Sequence, residues 1–160
     1  MNEYLASNQC KTPDLTFCMI KPDATARNLT GKIIADIEAL GFEIIDLKRK
    51  VLSYEEAASL YTEHREKSHF QDLVDYTCSG PSVVMILRKK KSDKDASGCP
   101  QHDSTAGRLR HFLGDSSPDL WQPWQLRGKY GISMRQNAIH ASRTKSDAAR
   151  EAAIFFTYLQ

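Results

Sequence analysis

An apolar run that stops at a proline sets the frame for this chain. Leu15–Ile20 reads Leu-Thr-Phe-Cys-Met-Ile and runs into Lys21-Pro22-Asp23; proline lacks a backbone donor and so ends an interior strand. A buried strand with Lys21 at its mouth is expected. The period then changes: Leu29, Ile33, Ile34, Ile37 and Leu40 fall at helical spacing, and Gly41 follows, a residue free to take positive φ after a helix. Residues 42–52 return to a strand-like pattern, with Phe42, Ile44 and Leu47 among polar neighbours and β-branched Ile44, Ile45 and Val51. That pattern predicts a pleat with one buried face.

The remaining segments continue the mixture. Ser53 ahead of Glu55 and Glu56 reads as an N-cap with acids in the first turn, and Ala57, Leu60 and Tyr61 carry the helix on. Phe70, Leu73, Val74 and Tyr76 predict a short helix, closed by the Ser79-Gly80-Pro81 turn before a buried strand over 82–87. Residues 88–91 are four successive cations, followed by a polar stretch to Ser104 containing Gly98 and Pro100. This reads as a surface loop at about 89–104, inserted into the domain. Thr105–Leu113 has a helical pattern, 114–124 is irregular, 130–134 reads as a last strand and 146–156 as a closing helix. The order predicts an α+β sandwich with helices packed on one face of a sheet.

At 160 residues the chain is expected to build one domain over 14–160, preceded by a tail at 1–13. Lys+Arg number 22 against 20 Asp+Glu, a net charge of +2, which makes no case for general nucleic-acid binding. The four cations at 88–91 read as a solvated strand end. Cys10, Cys18, Cys78 and Cys99 form no Cys-x-x-Cys pair and are too few for a disulfide framework, so reduced thiols are expected. Cys99 and His102 resemble half of a zinc site, but no second pair stands at suitable spacing. The first 13 residues lack a basic end followed by an apolar run, and no stretch approaches the roughly 18 apolar residues of a membrane span. An intracellular, cytoplasmic protein without a membrane anchor is the expectation, an organelle being compatible with it.

Three motifs in fixed order carry a family resemblance. Lys21-Pro22-Asp23-Ala24 after the first strand, Ser79-Gly80-Pro81 before the third, and Asn137-Ala138-Ile139-His140-Ala141-Ser142 near the end, with Arg127-Gly128 between, resemble the nucleoside diphosphate kinase family. The likeness covers about 16–156 apart from the polar loop. It implies a ferredoxin-like sandwich with a four-stranded antiparallel sheet, ping-pong transfer of a γ-phosphate between nucleoside tri- and diphosphates, Mg²⁺ bound mainly through the nucleotide phosphates, little preference among bases, and a homo-oligomer, hexamer or tetramer, a dimer being compatible. Trp121, Pro123 and Trp124 in an irregular segment agree with burial against a partner copy.

A phosphoryl group in transit needs charge stabilisation, in-line geometry and a nucleophile that can later leave, and imidazole meets the last need near neutral pH. The resemblance assigns that role to His140 and the supporting carboxylate to Glu151. The other histidines have plainer readings: His64 and His69 among charged helix residues, His102 in the polar loop, His111 beside Arg110. No Gly-x-x-x-x-Gly-Lys loop occurs, so phosphates must be bound by separate side chains converging on one place. By resemblance these are Lys21 and Asn137 near the ribose, Arg110, Ser116 and Arg127 near the phosphates, and Tyr61. Arg108 competes with Arg110 for its place. Counting back from Gly114 and Ser116 selects Arg110, and two residues along a helix turn a side chain by about 200°, so both cannot point inward.

The chain departs from the family at several of these places. His69 stands where a phenylalanine stacks on the base, with Phe70, Leu73 and Met134 as the remaining apolar contacts. Ser116 replaces a phosphate-binding threonine and keeps the hydroxyl, Ala141 replaces a glycine beside the nucleophile, and Arg143 replaces an aspartate. A second reading therefore stands beside the kinase: a nucleotide-binding or interaction module of the same fold with reduced or lost catalysis.

Overall fold

The computed structural model describes residues 14–90 and 104–157. The expected tail at 1–13, and most of the expected polar loop with Cys99 and His102, lie outside the described residues. Four strands, β1 (Leu15–Ile20), β2 (Phe42–Val51), β3 (Pro81–Lys89) and β4 (Ile139–Ala141), form one sheet in the order β2-β3-β1-β4. Every pairing is antiparallel. Around the sheet lie α1 (Pro22–Ala26), α2 (Thr30–Ala39), α3 (Tyr54–Leu60), α4 (Phe70–Cys78), α5 (Thr105–Leu113), α6 (Leu126–Tyr130) and α7 (Lys145–Phe155).

Helices cover both faces of the sheet, where the sequence pattern predicts one. The cause is in β1 and β3, whose side chains are apolar on both sides of the pleat, so each side needs its own cover. Cys18, Ile20, Met85 and Leu87 pack with Ile33 and Ile37 of α2 and Leu109 and Leu113 of α5. Phe17, Met19, Val84 and Ile86 point the other way and pack with Leu60 of α3, Val74 of α4 and Phe155 of α7. Full burial of each such side chain contributes about 1.5–3 kcal/mol, enough to fix the register of both central strands.

Local signals account for several element ends. Ser53 accepts from the Glu56 amide while the Glu56 carboxylate accepts from the Ser53 amide, a complete capping box at the start of α3. Thr144 caps α7 through the Asp147 amide, and Gly41, at φ +87°, turns the chain from α2 into β2. Two expectations fail. β2 lies at the sheet edge and carries a bulge between Ile44 and Asp46. The alternation therefore slips, leaving Ile45, Leu47 and Val51 exposed rather than forming one buried face. The strand expected at 130–134 is absent: Tyr130 ends α6, and the Ile132 and Ser133 amides both donate to the Gln136 carbonyl in a local turn. Ile132 and Met134 have the alternation of a strand but face solvent, and the place beside β1 is filled by β4, which carries His140.

Candidate active site

One cavity of about 650 Å³ opens where the ends of β1 and β4 meet the helices. The antiparallel pairing sets His140 opposite Met19, so its ring emerges beside the mouth of β1, where Lys21 follows. His140 Nε2 lies 2.9 Å from Glu151 Oε2, and the Ser142 hydroxyl donates to the same oxygen at 2.7 Å. The other oxygen, Oε1, accepts from Arg150 Nη2 at 3.2 Å. Glu151 is buried and His140 partly so. A carboxylate so held accepts the Nε2 proton and leaves the imidazole lone pair on Nδ1, the tautomer a nucleophile needs. Phe17 and the edge-on Tyr61 ring confine the imidazole, with centroids at 6.0 and 5.6 Å.

Cations converge on this histidine from separate elements. Arg127 of α6 is buried, its guanidinium donating to the Ile139 carbonyl at 3.0 and 3.3 Å and to the Gly114 carbonyl at 3.2 Å. Burial, then the nearby Arg110 charge, lowers its pKa to about 10, which still leaves it cationic at neutral pH. Lys21 Nζ donates to the Arg135 carbonyl at 2.6 Å and to Asn137 Oδ1 at 3.0 Å, and lies over the Tyr76 ring. Burial without a direct carboxylate partner brings its pKa down to about 8. Burial also lifts the Tyr61 phenol to about 12, so it stays neutral. The Arg110 side chain lines the cavity with no hydrogen bond or ion pair to the described residues. Arg108 turns the other way, onto the Leu40 carbonyl at 3.4 Å and the Phe112 ring.

The cavity thus brings together His140, Glu151, Lys21, Tyr61, His69, Leu73, Arg110, Ser116, Arg127, Met134 and Asn137. Phe70 is the exception: its ring packs against the core cluster behind α4 and is not among the lining side chains, because the first turn of α4 sets His69 and Leu73 on the cavity side. The walls also contain Glu63, His64, Lys67, Arg135 and Arg150, which motif and spacing do not single out. Arg150 alone leaves a local trace, as the residue preceding Glu151. Among the described residues, no group of three or more His, Cys, Asp or Glu side chains could hold a metal ion, and no helix is long and apolar enough to cross a membrane.

A histidine with a fixed tautomer inside a cationic, solvent-open cavity defines a class: a site for moving an anionic group by way of an imidazole. Comparison with known proteins narrows it. A family model described as nucleoside diphosphate kinase matches residues 14–160. The nucleoside diphosphate kinase of Desulfovibrio desulfuricans is 40% identical over 145 residues, 91% of this chain and 95% of that protein. That of Histophilus somni is 39% identical over 145 residues, 91% and 94% of the two chains. The crystal structure of a nucleoside diphosphate kinase family protein from Babesia bovis superposes with a TM-score of 0.77 at 32% identity, covering 92% of this chain and 90% of that one. This chain belongs to the nucleoside diphosphate kinase family.

Proposed function

We propose that the chain moves the γ-phosphate of a nucleoside triphosphate to a nucleoside diphosphate in two half-reactions through His140. In the first, the Nδ1 lone pair attacks the γ-phosphorus; the N–P bond forms, the bond to the β,γ-bridging oxygen breaks, and the diphosphate leaves with that electron pair. In the second, a terminal β-phosphate oxygen of another diphosphate attacks the phosphorus and His140 leaves as neutral imidazole. Glu151 holds the Nε2 proton throughout and offsets the positive charge of the phosphoimidazole. Arg110 and Arg127 spread the charge on the transferring oxygens, Ser116 adds a hydroxyl, and Lys21 and Asn137 hold the ribose, with His69, Leu73 and Met134 against the base. Mg²⁺ carried by the nucleotide phosphates would neutralise part of their charge. Support for that route is the state of Glu151, whose carboxylate is taken up by His140, Ser142 and Arg150.

The observation that carries this reading is the Glu151 carboxylate bound to His140 Nε2 beside Arg110 and Arg127. Incubation with Mg²⁺ and γ-labelled ATP is expected to give an acid-labile label that His140→Ala abolishes and a second diphosphate discharges. Nucleotide binding without any label would instead support the module with lost catalysis. We also read the assembly as a homo-oligomer, since Leu120, Trp124 and Ile132 leave apolar surface for a partner copy within one stretch of chain. Sedimentation at micromolar concentration measures it.

A further inference from the structure

One ion pair crosses the cavity wall without a part in the chemistry above. Arg143, in the turn between β4 and α7, pairs through Nη2 with Glu63 of the 3-10 turn Thr62–His64, and its Nε lies 3.4 Å from Asp147. Both Arg143 and Glu63 line the cavity. The level at which they meet is set by their neighbours. Two residues before Glu63 is Tyr61, edge-on to His140; next to it is His64, whose ring is 5.6 Å from that of His69. The pair therefore belongs to the same cavity wall as Tyr61 and His64, and the cavity it lines is the one that holds His140, Arg110 and Arg127.

We propose that Arg143 is a further substrate-binding residue: it is stored against Glu63 in the empty cavity and transfers its guanidinium to the phosphates of an entering nucleoside di- or triphosphate. This rests on the nucleotide reading given above. The exchange is inexpensive on one side and favourable on the other. The two side chains are 57% and 39% exposed, and an ion pair so exposed contributes only about 0–1 kcal/mol. A guanidinium on phosphate oxygens gains charge-assisted, forked hydrogen bonds to a multiply charged anion. Asp147 holds Nε, so the arm stays anchored while its terminal nitrogens change partner. Glu63 and Glu151 supply the carboxylates among the described lining residues; Glu63 loses its partner in the transfer, and its exposure lets water screen the charge it then presents to the phosphates.

Calorimetric titration of ADP and of adenosine into wild type, Arg143→Met, Glu63→Gln and the double variant tests this, beside phosphohistidine labelling of the wild type. Arg143→Met is expected to weaken ADP about tenfold, the size of one charge-assisted contact, with adenosine affinity unchanged. Glu63→Gln in that background is expected to restore only part of the loss, because it removes a carboxylate's repulsion and does not supply the direct contact. A double variant binding ADP like wild type would reduce Arg143 to a neutraliser and overturn the contact. Arg143→Met that lowers thermal stability with ADP affinity intact would overturn it too, leaving a strap between two turns. Wild type that neither binds ADP nor becomes labelled would overturn both this inference and the kinase reading; wild type that does both while Arg143→Met binds normally would overturn this inference alone.

Discussion

Burial of Lys21 makes the stability and the nucleotide affinity of this protein respond oppositely to rising pH. The amine has an ordinary pKa of 10.5 in the unfolded chain and one of about 8 in the folded protein, desolvation being the main cause. Between those values the unfolded state binds the proton and the folded state does not. Stability therefore increases with pH across this window, is lowered by the buried charge to a pH-independent extent below it, and levels off above 10.5. At about 1.36 kcal/mol per pH unit of full difference, the rise from pH 7 to pH 9 is about 1.3 kcal/mol. Confining the measurement to that range matters. Cys18 and Tyr61, whose pKa values burial raises from 9.0 and 10.0 to about 12, bind protons more tightly when folded and remove stability above their unfolded values.

Urea unfolding of wild type and Lys21→Met at half-unit pH steps measures the effect as a difference between two proteins, which cancels the groups they share. The Lys21→Met curve is expected to lack the rise of about 1.3 kcal/mol. Over the same range the dissociation constant for ADP of the wild type is expected to increase, approaching tenfold per unit above pH 8, as the ammonium between Asn137 and the Arg135 carbonyl loses its charge. Parallel stability curves for the two proteins would refute the burial argument, and a pH-independent ADP affinity would remove Lys21 from the charged machinery of the site.

Three further substitutions separate site from scaffold. Arg110→Met is expected to weaken ADP by about tenfold, the value of one charge-assisted contact, whereas Arg108→Met should leave ADP affinity alone and lower stability by about 1 kcal/mol through loss of its contact over Phe112; calorimetry and urea unfolding read the two effects. Gly128→Ala places a Cβ 2.0 Å from the Gln122 carbonyl oxygen and 2.9 Å from its carbon. Backbone cannot yield as a side chain does, so a loss of about 1–3 kcal/mol is expected in urea unfolding, and an unchanged midpoint would mean that the segment around Pro123 moves freely.

What could be read from the sequence, and what could not, follows from how far apart the cooperating residues lie. The phase of α5, a property of one helix, allows only one of Arg108 and Arg110 to face inward, and counting back from Gly114 and Ser116 by the family resemblance selects Arg110. Alternation at 130–134 misleads because Tyr130, Ile132 and Met134 have strand periodicity with no neighbouring strand to bond, and periodicity does not report partners. Glu63 and Arg143, 80 residues apart, share no local pattern at all. Yet the motif at 21–23 and the one at 137–140 are equally remote and were legible together, and the structure gives a physical reason. The Lys21 amide donates to the Ala138 carbonyl, and the Lys21 ammonium holds Asn137 and the Arg135 carbonyl. The buried Asp23 carboxylate accepts the amide of Ala138, whose φ of +69° is costly for a residue with a Cβ, and is tied in turn to Tyr76 and Arg27. Lys21 and Asp23 are thus the clamp that holds the turn two residues ahead of His140, and a sequence that needs the histidine there needs both ends of the clamp.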